Sequence, residues 1–222
     1  MPPLMVRTPK QIVRRVARAL PRRRRPPELA RQEILDAAER VFAEWQPDQV
    51  GLKEVAREAG VSHALITHYF GTYAGLLEAT LERRLRTMRQ EVLERLREPA
   101  ALERPNELLG LLFRTLQDPV HVRLMRWLVA SERPAATHAF GIQDRGLAVI
   151  SKQIAHTLAP ERPELVHDVE ITLLTAVSAA YGYAIAKHGL VGALGRTPSR
   201  ELDDEVRQTL AEMIETRLRS KL

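Results

Sequence analysis

The chain has 222 residues, 45% hydrophobic and 28% charged, a composition that supports a sizeable packed core. It contains no cysteine, which excludes disulfides, thiolate metal sites and cysteine nucleophiles and gives no sign of secretion. Its formal net charge of +6 suggests a polyanionic partner, either nucleic acid or an anionic membrane surface.

That charge belongs to an N-terminal arm. Residues 1–27 hold Arg7, Lys10, Arg14, Arg15, Arg18 and Arg22 to Arg25 without one acid, so everything after Pro27 is net acidic. Thr8-Pro9 is a cap and first-turn pair, and Ile12, Val13, Val16 and Leu20 would share one helical face. Pro21 ends the pattern, so Arg22, Arg23, Arg24, Arg25 and the two prolines that follow are expected to be extended and mobile. A basic amphipathic N-terminus also fits a transit peptide or a membrane-surface helix.

Beyond the arm, strand signals are nearly absent and helical periodicity runs almost throughout. A first helix is predicted over 28–45, with Ile34, Leu35, Ala38, Val41, Phe42 and Trp45 on one buried stripe. Two short helices follow, then a long one over 73–97 that Pro99 ends. Further breaks outline helices near 105–117, 119–132, 136–158, 164–188 and 199–220. Gly189 to Gly195 is glycine-rich but lacks the preceding strand and the lysine of a phosphate loop, and is predicted to end a helix. The most apolar run, Ile171 to Ala186, is shorter than the roughly 20 residues a bilayer span needs, so the chain reads as soluble and cytoplasmic with no membrane partner.

The most informative segment is Leu52 to Phe70. Two short helices cross steeply only if the contact positions are small and one turn residue is conformationally permissive. Ala56 meets the first requirement and Gly60, four residues later, the second. Val55, Ala59, Val61, Ile66 and Tyr69 are spaced to form the shared inner core, and Ser62 is a good N-cap for the second helix. Ser62, His63, Ala64, Thr67 and His68 are left facing outward, small or hydrogen-bonding, as a helix entering a major groove requires.

Helix 28–45, Val55-Ala56, Ala59-Gly60-Val61-Ser62, Tyr69-Phe70 and Leu76-Leu77 together resemble the tetracycline-repressor (TetR-type) family of transcriptional regulators. The resemblance is at motif level over about residues 28–80 and only architectural beyond. It implies an all-α fold: a three-helix helix-turn-helix DNA-binding domain over 28–72, then a helical ligand-binding and dimerisation domain over 73–222. It also implies a homodimer formed by the last two helices, a small-molecule effector, no cofactor and no enzymatic activity. The function expected is that of a ligand-responsive repressor binding a palindromic operator in double-stranded DNA. An architectural DNA-binding protein without a ligand, or a membrane-surface or protein-interaction module using the arm, are the rival readings.

Departures from the family pattern shape the expected contacts. Val50-Gly51 stands where a hydroxyl residue usually opens the first motif helix, so a phosphate contact there would use the Gly51 or Leu52 backbone N–H. Thr67 stands where a phosphate-contacting tyrosine is common, which leaves Tyr69 or Tyr73 to donate a hydroxyl. Lys53 adds a cation. Residues 28–80 otherwise set Arg31, Arg40 and Arg57 with it against nine carboxylates, so Arg22 to Arg25 are expected to supply phosphate affinity, reaching into the minor groove.

The later helices carry the remaining candidates. Phe113, His121, Met125, Trp127, His138, Phe140, Gln143, Tyr181 and Tyr183 are the large or polar-tipped residues that could line an effector pocket. Ala176, Ala179, Ala180 and Gly182 would permit close helix approach in a dimer. The seven histidines are dispersed and none shows the spacing of a helical zinc site, so no metal is expected.

Overall fold

A computed structural model of the chain describes residues 26–98, 101–103, 105–131 and 146–222. Among them lie α1 (Pro27–Glu44), α2 (Leu52–Ala59), α3 (His63–Phe70), α4 (Tyr73–Arg95), α5 (Pro105–Gln117), α6 (Pro119–Ala130), α7 (Gly146–Leu158), α8 (Leu165–Ala193) and α9 (Arg200–Arg219), with one 3-10 turn at Ala101–Glu103. No strand occurs among the described residues. The fold is all-α, as the periodicity predicts.

Helix α1 starts on Pro27, whose missing N–H costs nothing in a first turn. It buries Ile34, Leu35, Ala38, Val41 and Phe42, five of the six stripe residues, whereas Trp45 is the extended C-cap and half exposed. Two of the later helices have side-chain caps. Asp118 Oδ1 accepts the N–H groups of Val120 and His121 at 2.8 and 3.1 Å at the start of α6. Ser199 Oγ accepts the N–H of Leu202 at 3.1 Å at the start of α9.

One hydrophobic core runs without interruption from α1, α2 and α3 through α4 into α5, α6, α8 and α9. A second cluster joins Leu96 at the end of α4 to Ile150 and Ile154 of α7 and Leu165 and Val169 of α8. Helix α4 contributes to both. Its first half supplies Leu76, Leu77 and Leu81, almost wholly buried, beneath the first three helices.

Two expectations need correction. The glycine-rich stretch does not end α8 at its start: the helix continues to Ala193, and the chain turns only near Gly195, where φ is +69°. Val191, 3% exposed, keeps the last turn packed, which offsets roughly 1 kcal/mol for each of Gly189 and Gly192. At 29 residues with a mean hydropathy of 1.4 over its most apolar window, α8 is therefore long and apolar enough to cross a membrane by length and composition. In this fold it lies against α5, α6, α7 and α9, burying Val169, Thr172, Ala176 and Ala180 on the way. The helix predicted over 136–158 is described only from Gly146, since residues 132–145 lie outside the described residues.

Between α6 and α8, His121 is fully buried, and its Nε2 lies 3.0 Å from the Tyr181 hydroxyl. Burial pushes its pKa from 6.5 down to about 4, the Arg84 guanidinium adding to the effect and Asp118 opposing it. The folded chain thus holds His121 neutral while the unfolded chain protonates it. Stability from this residue is complete above pH 6.5 and is lost as pH falls toward 4, by on the order of 3 kcal/mol. Urea denaturation at pH 7 and pH 4.5 should therefore show a clearly smaller acid-induced loss in His121→Gln than in the wild type. Equal losses would show that His121 does not titrate this way.

Two glycines bracket α3. Gly60 adopts φ +64° in open space, so alanine there meets only left-handed strain of roughly 1–2 kcal/mol. Gly75, in the first turn of α4, is different: a Cβ would sit 2.2 Å from the Phe70 carbonyl oxygen, so α3 would have to move away from α4. Thermal unfolding should rank Gly75→Ala as the more damaging of the two, with α3 displaced and DNA affinity reduced. The opposite ranking would mean that the α3–α4 junction tolerates the shift.

Candidate nucleic-acid interface and buried cavity

The turn between α2 and α3 is built from local hydrogen bonds. Gly60, in the left-handed region, donates its N–H to Arg57 O at 3.3 Å, and the Val61 N–H reaches Ala56 O at 3.0 Å, together a Schellman closure. Ser62 then caps α3, its Oγ accepting the Leu65 N–H at 3.2 Å. Val55, Ala56 and Ile66 are buried in the angle, with Ala59, Val61 and Tyr69 packed against them.

The side chains left outside are Ser62, His63, Ala64, Thr67 and His68, all exposed. No Asp, Glu, Lys or Arg occurs anywhere in α3. The Thr67 hydroxyl donates to His63 O at 3.2 Å and lies 3.5 Å from His63 Nδ1, so these two residues form one polar patch. His68 stacks edgewise on Tyr69 at 5.3 Å between ring centroids. The Arg31 guanidinium lies 5.4 Å above the Phe70 ring, pinning the end of α3 to α1.

Two expected phosphate contacts are not available in the form predicted. The Gly51 N–H donates to Glu54 Oε2 at 2.9 Å, which closes the start of α2 and holds the Glu54 carboxyl below the usual range. An anion occupies that position already, in the form of a side chain. The Tyr73 hydroxyl donates to Pro47 O at 2.7 Å, half-buried, with burial pushing its pKa up. It ties the start of α4 to the loop after α1 rather than facing outward. Lys53 remains exposed. Arg22, Arg23, Arg24 and Arg25 lie outside the described residues.

Charged residues that sequence reasoning missed join the first helices to the rest. Arg83 of α4 pairs with Asp36 and Glu39 of α1, both at 2.6 Å. Arg84 spans from Glu39 at 2.9 Å to the α6 cap Asp118 at 2.5 Å. Arg123 of α6 donates to Phe42 O and Ala43 O at 2.7 and 2.6 Å, satisfying carbonyls that the C-terminus of α1 leaves open. The only sequence signal was the pair of arginines placed mid-helix.

None of the described candidates for the pocket, Phe113, His121, Met125, Trp127, Tyr181 and Tyr183, lines the most apolar cavity of the described residues. Phe113, His121, Met125 and Tyr181 are buried core and Trp127 is half-buried. Tyr183 donates its hydroxyl to Asp203 at 2.8 Å, which also holds Lys187 at 3.0 Å. His138, Phe140 and Gln143 lie outside the described residues. Tyr181 and Tyr183 find their partners across helix contacts, in His121 and Asp203. A cavity of about 340 Å³ opens elsewhere, among α4, α5, α7, α8 and α9, between residues such as Met88, Leu112, Ile154, Ala176 and Ile214. Only leucine, isoleucine and valine patterning marked these positions, and that pattern also describes solid core.

On the outer side of the last two helices, Ile171, Leu174 and Met213 are 46%, 54% and 63% exposed. Ala179 and Gly182 on the same helix as Leu174 are also exposed. Among the described residues no group of three or more His, Asp or Glu side chains is placed to hold a metal ion.

Residues 34–80 match the family described as bacterial regulatory proteins, tetR family. An uncharacterized HTH-type transcriptional regulator of Mycobacterium tuberculosis is 30% identical over 142 residues, 63% of this chain and 68% of that protein. The HTH-type transcriptional regulator BetI of Cronobacter sakazakii is 32% identical over 165 residues, 73% of this chain and 77% of that protein. A crystal structure of a putative TetR-family transcriptional regulator from Mesorhizobium loti superposes with a TM-score of 0.65 at 15% identity, covering 87% of this chain and 97% of that one. The fold, the turn at Gly60 and these relatives agree: the chain belongs to the tetR family of bacterial regulatory proteins and is a DNA-binding, helix-turn-helix transcriptional regulator.

Proposed function

We propose that the chain is a ligand-responsive repressor that acts in the cytoplasm on a palindromic operator as a homodimer, without catalysing a reaction. The observation that carries this reading is the outward face of α3, free of Asp, Glu, Lys and Arg and held by the Gly60 turn and the Ser62 cap. A helix that must slide against base edges needs a slim, hydrogen-bonding face, and Ser62, His63, Ala64, Thr67 and His68 supply one. Tyr69 and Lys53 stand at its margin as phosphate contacts. Gly51 and Tyr73 are not part of the proposed set, because both donors are engaged within the chain.

Residues 28–72 are the DNA-binding part and 73–222 the effector-binding and dimerising part. The exposed Ile171, Leu174 and Met213 on α8 and α9 supply an apolar surface for a second copy. An effector entering the cavity would press on Met88 and Val92 of α4. The other end of α4 lies under α1 and α3, and the Arg83, Arg84 and Arg123 contacts carry α1 along. The two reading helices would then change their spacing, with a coupling typically of about 1–3 kcal/mol. Residues 1–27 carry the phosphate affinity that the acidic body does not, with Arg22 to Arg25 foremost.

Selection of genomic DNA by the purified protein tests the reading and should return a palindrome. Against that sequence, His63→Ala or Thr67→Ala should relax preference at one position per half-site and cost about 1–3 kcal/mol. A uniform loss on all sequences would reassign the residue to phosphate contact, and no selectivity at all would refute the operator reading. Deleting residues 1–27 should lower the log–log salt slope by up to ~4 per subunit, and an unchanged slope would remove the arm from the interface. Met213→Glu should leave a monomer in sedimentation; a persistent dimer would place the interface elsewhere.

A further inference from the structure

We infer that the effector is an uncharged aliphatic molecule, an alkyl chain with at most one polar end, seated in the cavity among α4, α5, α7, α8 and α9. The inference rests on the proposal above that this cavity is the effector site. Every side chain lining it except Glu215 and Arg219 is aliphatic or methionine. Among the described residues the wall contains no aromatic ring, so it offers a buried cation no π-face. Among the described residues it contains no serine, threonine, asparagine or histidine, so a ligand with several hydroxyl or amide groups would leave them unpaired at about 1–3 kcal/mol each.

The two charged residues belong to the rim. Glu215 is 40% exposed and Arg219 76%, and they pair with each other at 2.5 Å. A carboxylate brought to Arg219 would face Glu215, and an ammonium brought to Glu215 would face Arg219. A neutral hydroxyl or carbonyl meets neither repulsion, which places the single polar end of the ligand at this rim.

Size and shape agree. A cavity of about 340 Å³ packed at interior density holds roughly 250 Å³ of ligand atoms. That is well above the single ring held by an engineered apolar cavity of about 150 Å³. Its walls, mostly leucine, isoleucine and valine, are set on five separate helices, so the ligand is gripped from several sides. Binding strength should then grow with each methylene removed from water until the cavity is full, about fourfold per group.

The test uses the purified full-length protein and three kinds of probe below their micelle concentrations. These are a series of primary alcohols from hexanol to dodecanol, decanoate and decyltrimethylammonium. Binding is read by the shift in melting temperature and by release of the DNA fragment recovered in the selection. Affinity for the alcohols should rise about fourfold per methylene and then level off. Decanoate and decyltrimethylammonium should bind at least tenfold more weakly than decanol. Ala176→Trp and, as a milder filler, Val177→Phe should abolish the decanol shift while circular dichroism shows the helices intact. No alcohol binding, a flat dependence on chain length, or charged probes that match decanol would overturn the inference. Decanol binding that survives in both filled variants would instead overturn the cavity as the effector site.

Discussion

Helix α4 spans 23 residues, about 35 Å at the usual rise, and cannot shift one end while leaving the other in place. Its first turns carry Leu76, Leu77 and Leu81 under α1 and α3, and its last turns carry Met88 and Val92 into the cavity wall. The rest of the molecule is arranged on this rod. Phe70 and Gly75 are in such close contact at its start that the orientation of α3 is set by α4 and not by the loop between them. The arginines at its middle bind α1 from one side and the cap of α6 from the other. A core continuous from the first three helices into the later ones, with a second cluster at the far end of the rod, is the expected consequence of such a shared element.

The charges divide by position. Around the DNA-reading turn, acids are consumed locally: Glu54 closes α2, Glu58 holds Arg40 at 2.6 Å, and Asp36 and Glu39 hold Arg83. The outward surface of α3 is left with hydroxyls and imidazoles. Hydrogen-bonding groups discriminate between base edges, whereas phosphate attraction does not.

Polar and apolar interiors are likewise kept apart. The buried His121 finds the Tyr181 hydroxyl, and its Nδ1 meets no hydrogen-bond partner among the described residues. That polar contact sits between α6 and α8, and neither of its residues lines the cavity. An interior with a polar pair in one place and a hydrocarbon-lined space in another favours ligands that ask for no hydrogen bonds. Large polar-tipped aromatics point elsewhere for a related reason: burial obliges them to find partners, and Tyr181 and Tyr183 find theirs in His121 and Asp203.

Much of this protein is written in short-range chemistry. The αL turn at Gly60, the Ser62 cap, the Val55, Ala56 and Ile66 core and the exposed His63, Thr67 and His68 follow from residues within twenty positions of each other, so spacing alone determined them. The helices followed from periodicity for the same reason. Contacts across long separations did not. The Gly51 donor was lost to a contact only three positions away, the capping-box pattern with Glu54, but nothing local in Tyr73 announces that Pro47 O takes its hydroxyl, 26 positions earlier, and nothing in Arg123 announces the end of α1, 80 positions earlier. Leu112, Ile154 and Ile214 have the same pattern whether helices meet tightly or leave a space. Only the angles and distances at which five helices pack decide between solid core and cavity, because volume belongs to the arrangement and not to any one segment.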